Sequence, residues 1–353
     1  MIDYIIVGLG LAGISFCEIL EKNNKSYVVF DDDSQQSSRV AGGLYNPVIL
    51  KRYTKAWKAG EQLEMALPFY RQLEAKFNKQ FDHQLPVYRR FASIEEQNRW
   101  YEVCDKPEMA SFLSTQLIKD YNSCIDAPFG YGEVLGTGRI AIKALQKAYK
   151  EYLSDNKKYV SEPFEYERLE IDGNKLSYKD IAPKKIVFCE GFGMIKNPFF
   201  NYLPLNGTKG ELITIKAPKL ILSEVVKSAV FIIPLGDDLY KIGATYKWKD
   251  KTNKPTKEAR KELLEKLATF LKCDFEVINQ EAGIRPTVAD RRPLIGQHPK
   301  HKNIYLLNGL GTRGVMVAPY VSKQLYNHIE YREEIDKEIT IERYESKYVN
   351  TTS

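Results

Sequence analysis

Hydrophobic and polar positions at the start of the chain alternate at the spacing of a strand, a loop, a helix and a second strand. Tyr4 to Val7 is an unbroken apolar, β-branched run, the pattern of a parallel strand buried on both faces. Ile14 to Leu20 continues an apolar pattern at helical spacing, and Tyr27 to Phe30 returns to a short apolar run that stops at Asp31. Residues 304–329 repeat the order: an apolar strand, a loop with Gly309, Gly311 and Gly314, then a helix with Pro319 in its early turns. Between them, KEARKELLEKL at 257–267 interleaves acids and bases around apolar positions and predicts a helix with a solvated face.

The first loop, GLGLAG, gives each glycine a mechanical job. Gly8 permits the tight turn, Gly10 lets the backbone approach a pyrophosphate, and Gly13 allows close packing of the helix. The helix N-terminus then offers free N–H groups and a positive dipole end to phosphate. Asp31 stands 18 residues beyond Gly13, close to the roughly 20 expected for a carboxylate that binds an adenosine ribose. An acid there disfavours the 2′-phosphate of NADP and leaves NAD and FAD. The second glycine loop, far along the chain, separates those two. A nucleotide domain assembled from both ends has two cradles, which suits the two ends of a large flavin.

Composition narrows the remainder. A chain of 353 residues predicts two domains, at roughly 100 to 200 residues each. Cys17, Cys104, Cys124, Cys189 and Cys273 are odd in number, widely spaced and without a CxxC pair, so they are expected as reduced core residues rather than disulfides or zinc ligands. His298 and His301 flank a loop-like Pro-Lys rather than sharing a helical face, and no metal is expected. No GxSxG elbow is present. Apolar runs are too short to span a bilayer and the N-terminus lacks a basic-then-apolar segment, which predicts a cytoplasmic protein without a membrane span. The net charge of +6 is spread among 46 acids. Its one concentrated stretch is LKRYTKAWK at 50–58, where Tyr53 and Trp57 offer stacking surfaces among bases.

Taken together these segments resemble the D-amino-acid oxidase, glycine oxidase and sarcosine oxidase family of FAD-dependent oxidoreductases at intervals along nearly the whole chain. The N-terminal GLGLAG with Asp31 is similar to its ADP-binding unit, and SSRVAGGLYNP at 37–47 to its loop beside the flavin ring. GRIAIKALQKAY at 138–149 and KKIVFCEGF at 184–192 resemble its second ADP-side segment. PLNGTKGELITI at 204–215 and FIIPLGDDLYKIGATY at 231–246 resemble the strands that roof its substrate, and GIRPTVADRRPLIG at 283–296 and GLGTRGVMVAP at 309–319 complete the set. Departures are Glu190 where the family has a small residue or Thr, Asp290-Arg291 where it has Asp-Gly, Leu310 and Thr312 in the last glycine loop, and Phe231 at a position that is Tyr in glycine oxidase.

The resemblance implies an α/β chain, α+β overall, with a Rossmann-type FAD-binding domain over 1–80, 135–205 and 286–353 and a discontinuous, mainly antiparallel substrate domain over 81–134 and 206–285. It implies non-covalent FAD held by Gly8, Gly10, Leu11, Ala12, Gly13, Asp31, Asp32, Arg39, Gly42, Gly43, Leu44, Gly191, Gly311, Thr312, Arg313, Gly314 and Val315. Arg285 is implied as the substrate-carboxylate ligand, with Arg313 and Tyr246 assisting. The implied reaction oxidises the C–N bond of a small amine or amino acid by hydride transfer to flavin N5, giving an imine that water hydrolyses. No His or Cys base is required. The electron acceptor, dioxygen or another, stays open, with Lys51 and Lys209 as candidate oxygen-activating cations. Two other readings stand beside it: a flavin enzyme acting on a carboxymethylaminomethyl-modified tRNA base, and a non-catalytic nucleotide-binding protein.

Overall fold

The computed structural model describes residues 2–352. Chain contacts divide it into two compact units. One comprises the residues up to Arg39, Ile142–Thr208 and those from Ile284 on; the other comprises Val40–Ala141 and Lys209–Gly283.

In the first unit, strands β1 (Ile2–Val7), β2 (Tyr27–Phe30), β3 (Tyr159–Val160), β4 (Pro183–Phe188), β5 (Leu294–Gln297) and β6 (Ile304–Asn308) form one sheet in the order β3-β2-β1-β4-β6-β5. Every pair is parallel except β5 with β6. The unbroken apolar run of β1 follows from its central place, where both faces are covered. Its alternate residues serve different layers. Tyr4 meets Phe16 of helix α1 (Leu11–Lys22) edge to face at 5.8 Å, and Phe16 reaches Tyr326 of helix α3 (Gly314–Tyr331) at 6.4 Å. Ile5 and Val7 join Phe30, Phe164, Tyr178 and Phe188 in a separate aromatic-rich cluster. Helix α2 (Ile142–Asp155) adds Gln146, whose side-chain amide donates to the Leu9 carbonyl at 3.0 Å. This is a Rossmann-type arrangement, in which the strand C-termini and the following helix N-termini share one edge of the sheet.

Asp290-Arg291 shows how one departure is accommodated. Arg291 sits at φ +59°, the left-handed region that glycine enters without cost. Asp290 accepts from the Arg292 N–H at 2.9 Å and pairs with Arg343 at 3.0 Å, fixing the turn with side-chain bonds.

The second unit is built on an eight-stranded sheet, in the order 276–285, 208–216, 239–243, 231–236, 225–227, 87–90, 131–134 and 113–118. From 208–216 to 113–118 the neighbours run antiparallel, save for the parallel pair between 225–227 and 87–90. The predicted charged helix is Lys257–Ala268: Thr256 caps it by accepting from the Ala259 N–H, and Ala259, Leu263 and Leu267 form its buried stripe. Trp100, from the helix Ile94–Cys104, is buried and donates its indole N–H to the Ser114 carbonyl at 3.0 Å. A Cβ at Gly132 would lie 2.3 Å from that ring, so the strand needs glycine there.

Two expectations change. Cys17, Cys104 and Cys189 are buried as predicted, but Cys124 and Cys273 are only half-buried, at the margin of a core cluster. Tyr53 is no surface platform: it is buried, packs edge to face on Trp100 at 5.8 Å and donates its hydroxyl to Glu96. Its apolar ring gains more from the core than from water.

Candidate cofactor and substrate site

The first unit brings the two glycine loops to one place. A Cβ on Gly8, at φ +99°, would fall 2.6 Å from the Cys189 carbonyl oxygen, and one on Gly13 only 2.1 Å from the Gly8 carbonyl oxygen. These two glycines are therefore demanded by backbone packing. Gly10 is different. Its backbone is extended, and the nearest atom to a Cβ there is Ser38 Oγ at 3.5 Å, ordinary contact. Packing alone does not demand glycine at Gly10, and a ligand would have room there to approach the backbone.

Gly10 begins α1, where no side chain caps the N-terminus and no acid stands in the first turn. The same holds for α3 at Arg313. Leu11 and Gly314 lie in the first turns of these helices, and a Cβ on Gly314 would be 3.2 Å from Leu11 Cδ1. Two uncapped positive helix ends thus meet beside the glycine loops, a donor set suited to phosphate and to an anionic ring. Gly311, at φ +60°, has open space where a side chain would be, as does Gly191 at φ +54°.

Around this cradle the acids are already oriented. Asp31 accepts from the Leu9 N–H at 3.1 Å while its carbonyl accepts from Tyr159 OH at 3.0 Å. Burial pushes its carboxyl above the ordinary range, leaving an acceptor that gains from a hydroxyl donor such as ribose. Asp32 is exposed and accepts from the Ser34 N–H at 2.9 Å, so its carboxylate shapes the turn. Arg39 donates to the Asp33 carbonyl at 2.8 Å, and Asp33 also pairs with Lys150 at 2.5 Å. Glu190 is buried, accepting from Asn197 Nδ2 at 2.7 Å and from Tyr166 OH. Burial outweighs those two hydrogen bonds, Asp32 adds repulsion, and the carboxyl is pushed up to about 7. An acid beside the glycine turn thereby holds its proton well above the ordinary carboxyl range.

That buried acid carries a pH prediction. Between the ordinary 4.5 and about 7 the folded protein holds a proton that the unfolded chain releases. The Glu190 contribution to stability is therefore fully present below the unfolded value and lost as pH rises through the folded one, by about 3 kcal/mol. Glu190→Gln keeps an acceptor and removes the titration. Its melting temperature should exceed the wild type's by several degrees at about pH 8, and the advantage should vanish at about pH 5. Parallel melting curves across that range would refute the assignment.

Arg285 lies at the end of the strand Glu276–Arg285, and Pro286 accepts from the Gly311 N–H at 3.2 Å. The GIRP run is thus tied to the final glycine loop that carries Thr312, Arg313 and Val315. Gly42, Gly43, Leu44 and Tyr246 belong to the second unit. Gly43, at φ +73°, packs against the Ile140 carbonyl, and a Cβ on Gly42 would meet Ile233 Cδ1 at 2.6 Å. Leu44 pairs with Arg139 in a short ladder, and Tyr246 is 56% exposed. Lys51 is exposed, whereas Lys209 is fully buried, with its ammonium on Asp250 at 2.6 Å and on the Lys254 carbonyl at 2.5 Å. Lys209 is spent on holding the 247–254 loop.

Several residues of this site gave no local signal. Asn308 Nδ2 donates to the Gly191 carbonyl at 2.9 Å and its Oδ1 accepts from the Gly309 N–H at 2.7 Å, joining the second and third segments of the unit. Tyr159 and Tyr166 likewise act across separations of 128 and 24 residues, while Asn197 reaches Glu190 from 7 residues on. Only the fold brings them in.

Comparison with known proteins agrees with this geometry. The family model described as FAD dependent oxidoreductase matches residues 3–327, and the chain belongs to that family. It is accordingly an FAD-dependent oxidoreductase, an enzyme, and the non-catalytic reading is set aside. The chain is 26% identical to glycine oxidase of Bacillus subtilis (strain 168) over 209 residues, 54% of this chain and 56% of that protein. It is 22% identical over 352 residues to the tRNA 5-methylaminomethyl-2-thiouridine biosynthesis bifunctional protein MnmC of Marinobacter nauticus, covering 92% of this chain and 55% of that one. The chain thus spans just over half the length of these curated relatives. Among solved structures, glycine oxidase from Geobacillus kaustophilus superposes with a TM-score of 0.77 at 19% identity, covering 95% of both chains. Among the described residues no helix is long and apolar enough to cross a membrane.

Proposed function

We propose that the protein oxidises the C–N bond of a small amine or amino acid that carries a carboxylate. The observation that carries this reading is the junction in the first unit, where the Arg285-Pro286 run is bonded to the loop opening α3. A guanidinium and a helix N-terminus joined at such a junction would supply two anion-binding elements to one substrate. The planar guanidinium grips a carboxylate through two parallel hydrogen bonds and fixes the orientation of the neighbouring C–H. The Gly314 N–H and the α3 dipole would offset negative charge that develops nearby. Bound FAD supplies a two-electron acceptor for the hydride leaving the carbon next to nitrogen. A neutral amine assists this departure with its own lone pair, and water then hydrolyses the released imine to an oxo acid and an amine or ammonia. Gly8, Gly10, Gly13, Asp31 and Gly191 would hold the adenosine diphosphate half of the cofactor. Arg313 and Tyr246 are proposed to assist substrate binding.

The Marinobacter nauticus relative favours a second reading, because its similarity runs along 92% of this chain. There the substrate is a secondary amine on a modified tRNA base and the C–N chemistry is unchanged. One experiment separates the two. The holoprotein is mixed anaerobically with glycine, sarcosine, proline and a panel of D-amino acids while its visible spectrum is followed. Bleaching by one of them is the expected result; a yellow protein that none of them bleaches favours the larger substrate.

A further inference from the structure

Two of the five cysteines lie together in the second unit, at a place the proposed chemistry does not use. Ile125 bridges Leu271 antiparallel, and the Lys272 N–H donates to the Cys124 carbonyl at 2.8 Å, so Cys124 and Cys273 sit on adjoining backbone segments. Cys124 Sγ donates to the Lys219 carbonyl at 3.1 Å. Cys273 follows the Lys272 that bonds Cys124, which puts the two cysteines one step apart across this antiparallel pairing. Both residues are half-buried, packed at the edge of the core cluster around Leu263 and Leu267, whereas Cys17, Cys104 and Cys189 are buried.

We propose that Cys124 and Cys273 form a reversible thiol–disulfide site that cross-links the two chain segments of the second unit under peroxide. Its parts divide the work. Burial and the neighbouring Cys124 thiol push the Cys273 thiol up to about 11, which keeps it protonated until the second step. The Cys124 sulfur attacks one oxygen of hydrogen peroxide and breaks the O–O bond while its S–H proton passes to the leaving oxygen, forming a sulfenic acid and releasing one water. The Cys273 sulfur then displaces the sulfenic hydroxyl as a second water, and the S–S bond forms. Two S–H bonds are lost, two electrons pass to peroxide, and two waters leave. The cross-link closes a loop of the segments between positions 124 and 273, restricting the unfolded chain far more than the folded one.

The test uses the intact holoprotein, treated with hydrogen peroxide and then digested without reductant. A Cys124–Cys273 peptide should appear, free thiols should fall from five to three, and dithiothreitol should reverse both. The oxidised protein should melt several degrees higher than the reduced one. Cys124→Ser should show no peroxide-dependent change in melting, with Cys273→Ser as the second control. The wild-type peptide map decides the question even where a variant folds poorly. Peroxide that yields only sulfinic acids, a disulfide between two chains, or a bridge to another cysteine would overturn the proposal.

Discussion

Gly10→Val should give a protein that folds and melts like the wild-type apoprotein yet carries no flavin. The expectation follows from the contrast among the three glycines of the first loop. At Gly10 the backbone is in a region open to any residue and the nearest protein atom would stand 3.5 Å from a new Cβ, so the fold has little reason to object. The isopropyl group would occupy the space in front of the first N–H groups of α1, where a pyrophosphate must touch backbone. FAD affinity should fall at least about 100-fold, or about 3 kcal/mol. Gly13→Val serves as the counterpart. Its Cβ would lie 2.1 Å from the Gly8 carbonyl oxygen, a backbone atom that cannot step aside, so flavin and stability should be lost together. Quenching of FAD fluorescence measures the first effect and thermal melting of the apoprotein the second. Gly10→Val protein that purifies with a full complement of flavin would show that α1 does not cradle the phosphates.

How far the chain could be read before folding depended on the range of the interactions involved. The first strand, loop and helix were legible because their pattern is local: a doubly buried strand is apolar throughout, a tight loop needs glycine, and the acid follows at the end of the next strand. The charged helix was legible at 257–267 for the same reason, whereas its Thr256 cap emerged only with the structure. The basic stretch at 50–58 misled, because an aromatic residue among lysines looks alike in sequence whether its ring faces water or core. Tyr53 went to the core, where Trp100 and Glu96 supply both apolar and polar partners. Glu190 stood out in sequence only as an acid where the family has a small residue or Thr. Its accommodation rests on Tyr166 and Asn197, whose approach no periodicity announces. The pairing of Cys124 with Cys273 was equally silent, since spacing along the chain says nothing about strands that meet across a unit.

Arg285→Ala should leave a yellow protein that no longer oxidises its carboxylated substrate at a useful rate. A guanidinium that holds a carboxylate makes two charge-assisted hydrogen bonds, each worth about 1.5 to 3 kcal/mol. Losing both should lower kcat/KM by about 1,000-fold, near 4 kcal/mol. Where the loss falls is informative. If Arg285 only anchors the substrate, KM rises and kcat survives at saturation; if it also aligns the C–H bond, kcat falls as well. Arg285→Lys should recover only part of the rate, because an ammonium supplies charge without the planar pair of donors. The same substrate prepared as its uncharged amide provides the control. It should be a poor substrate for the wild type and nearly indifferent to the mutation, because the bond that arginine makes is already missing. Equal losses on acid and amide, or a loss of colour with the loss of rate, would instead assign Arg285 to holding the Pro286–Gly311 junction and leave the carboxylate to another residue, with Arg313 the next to test.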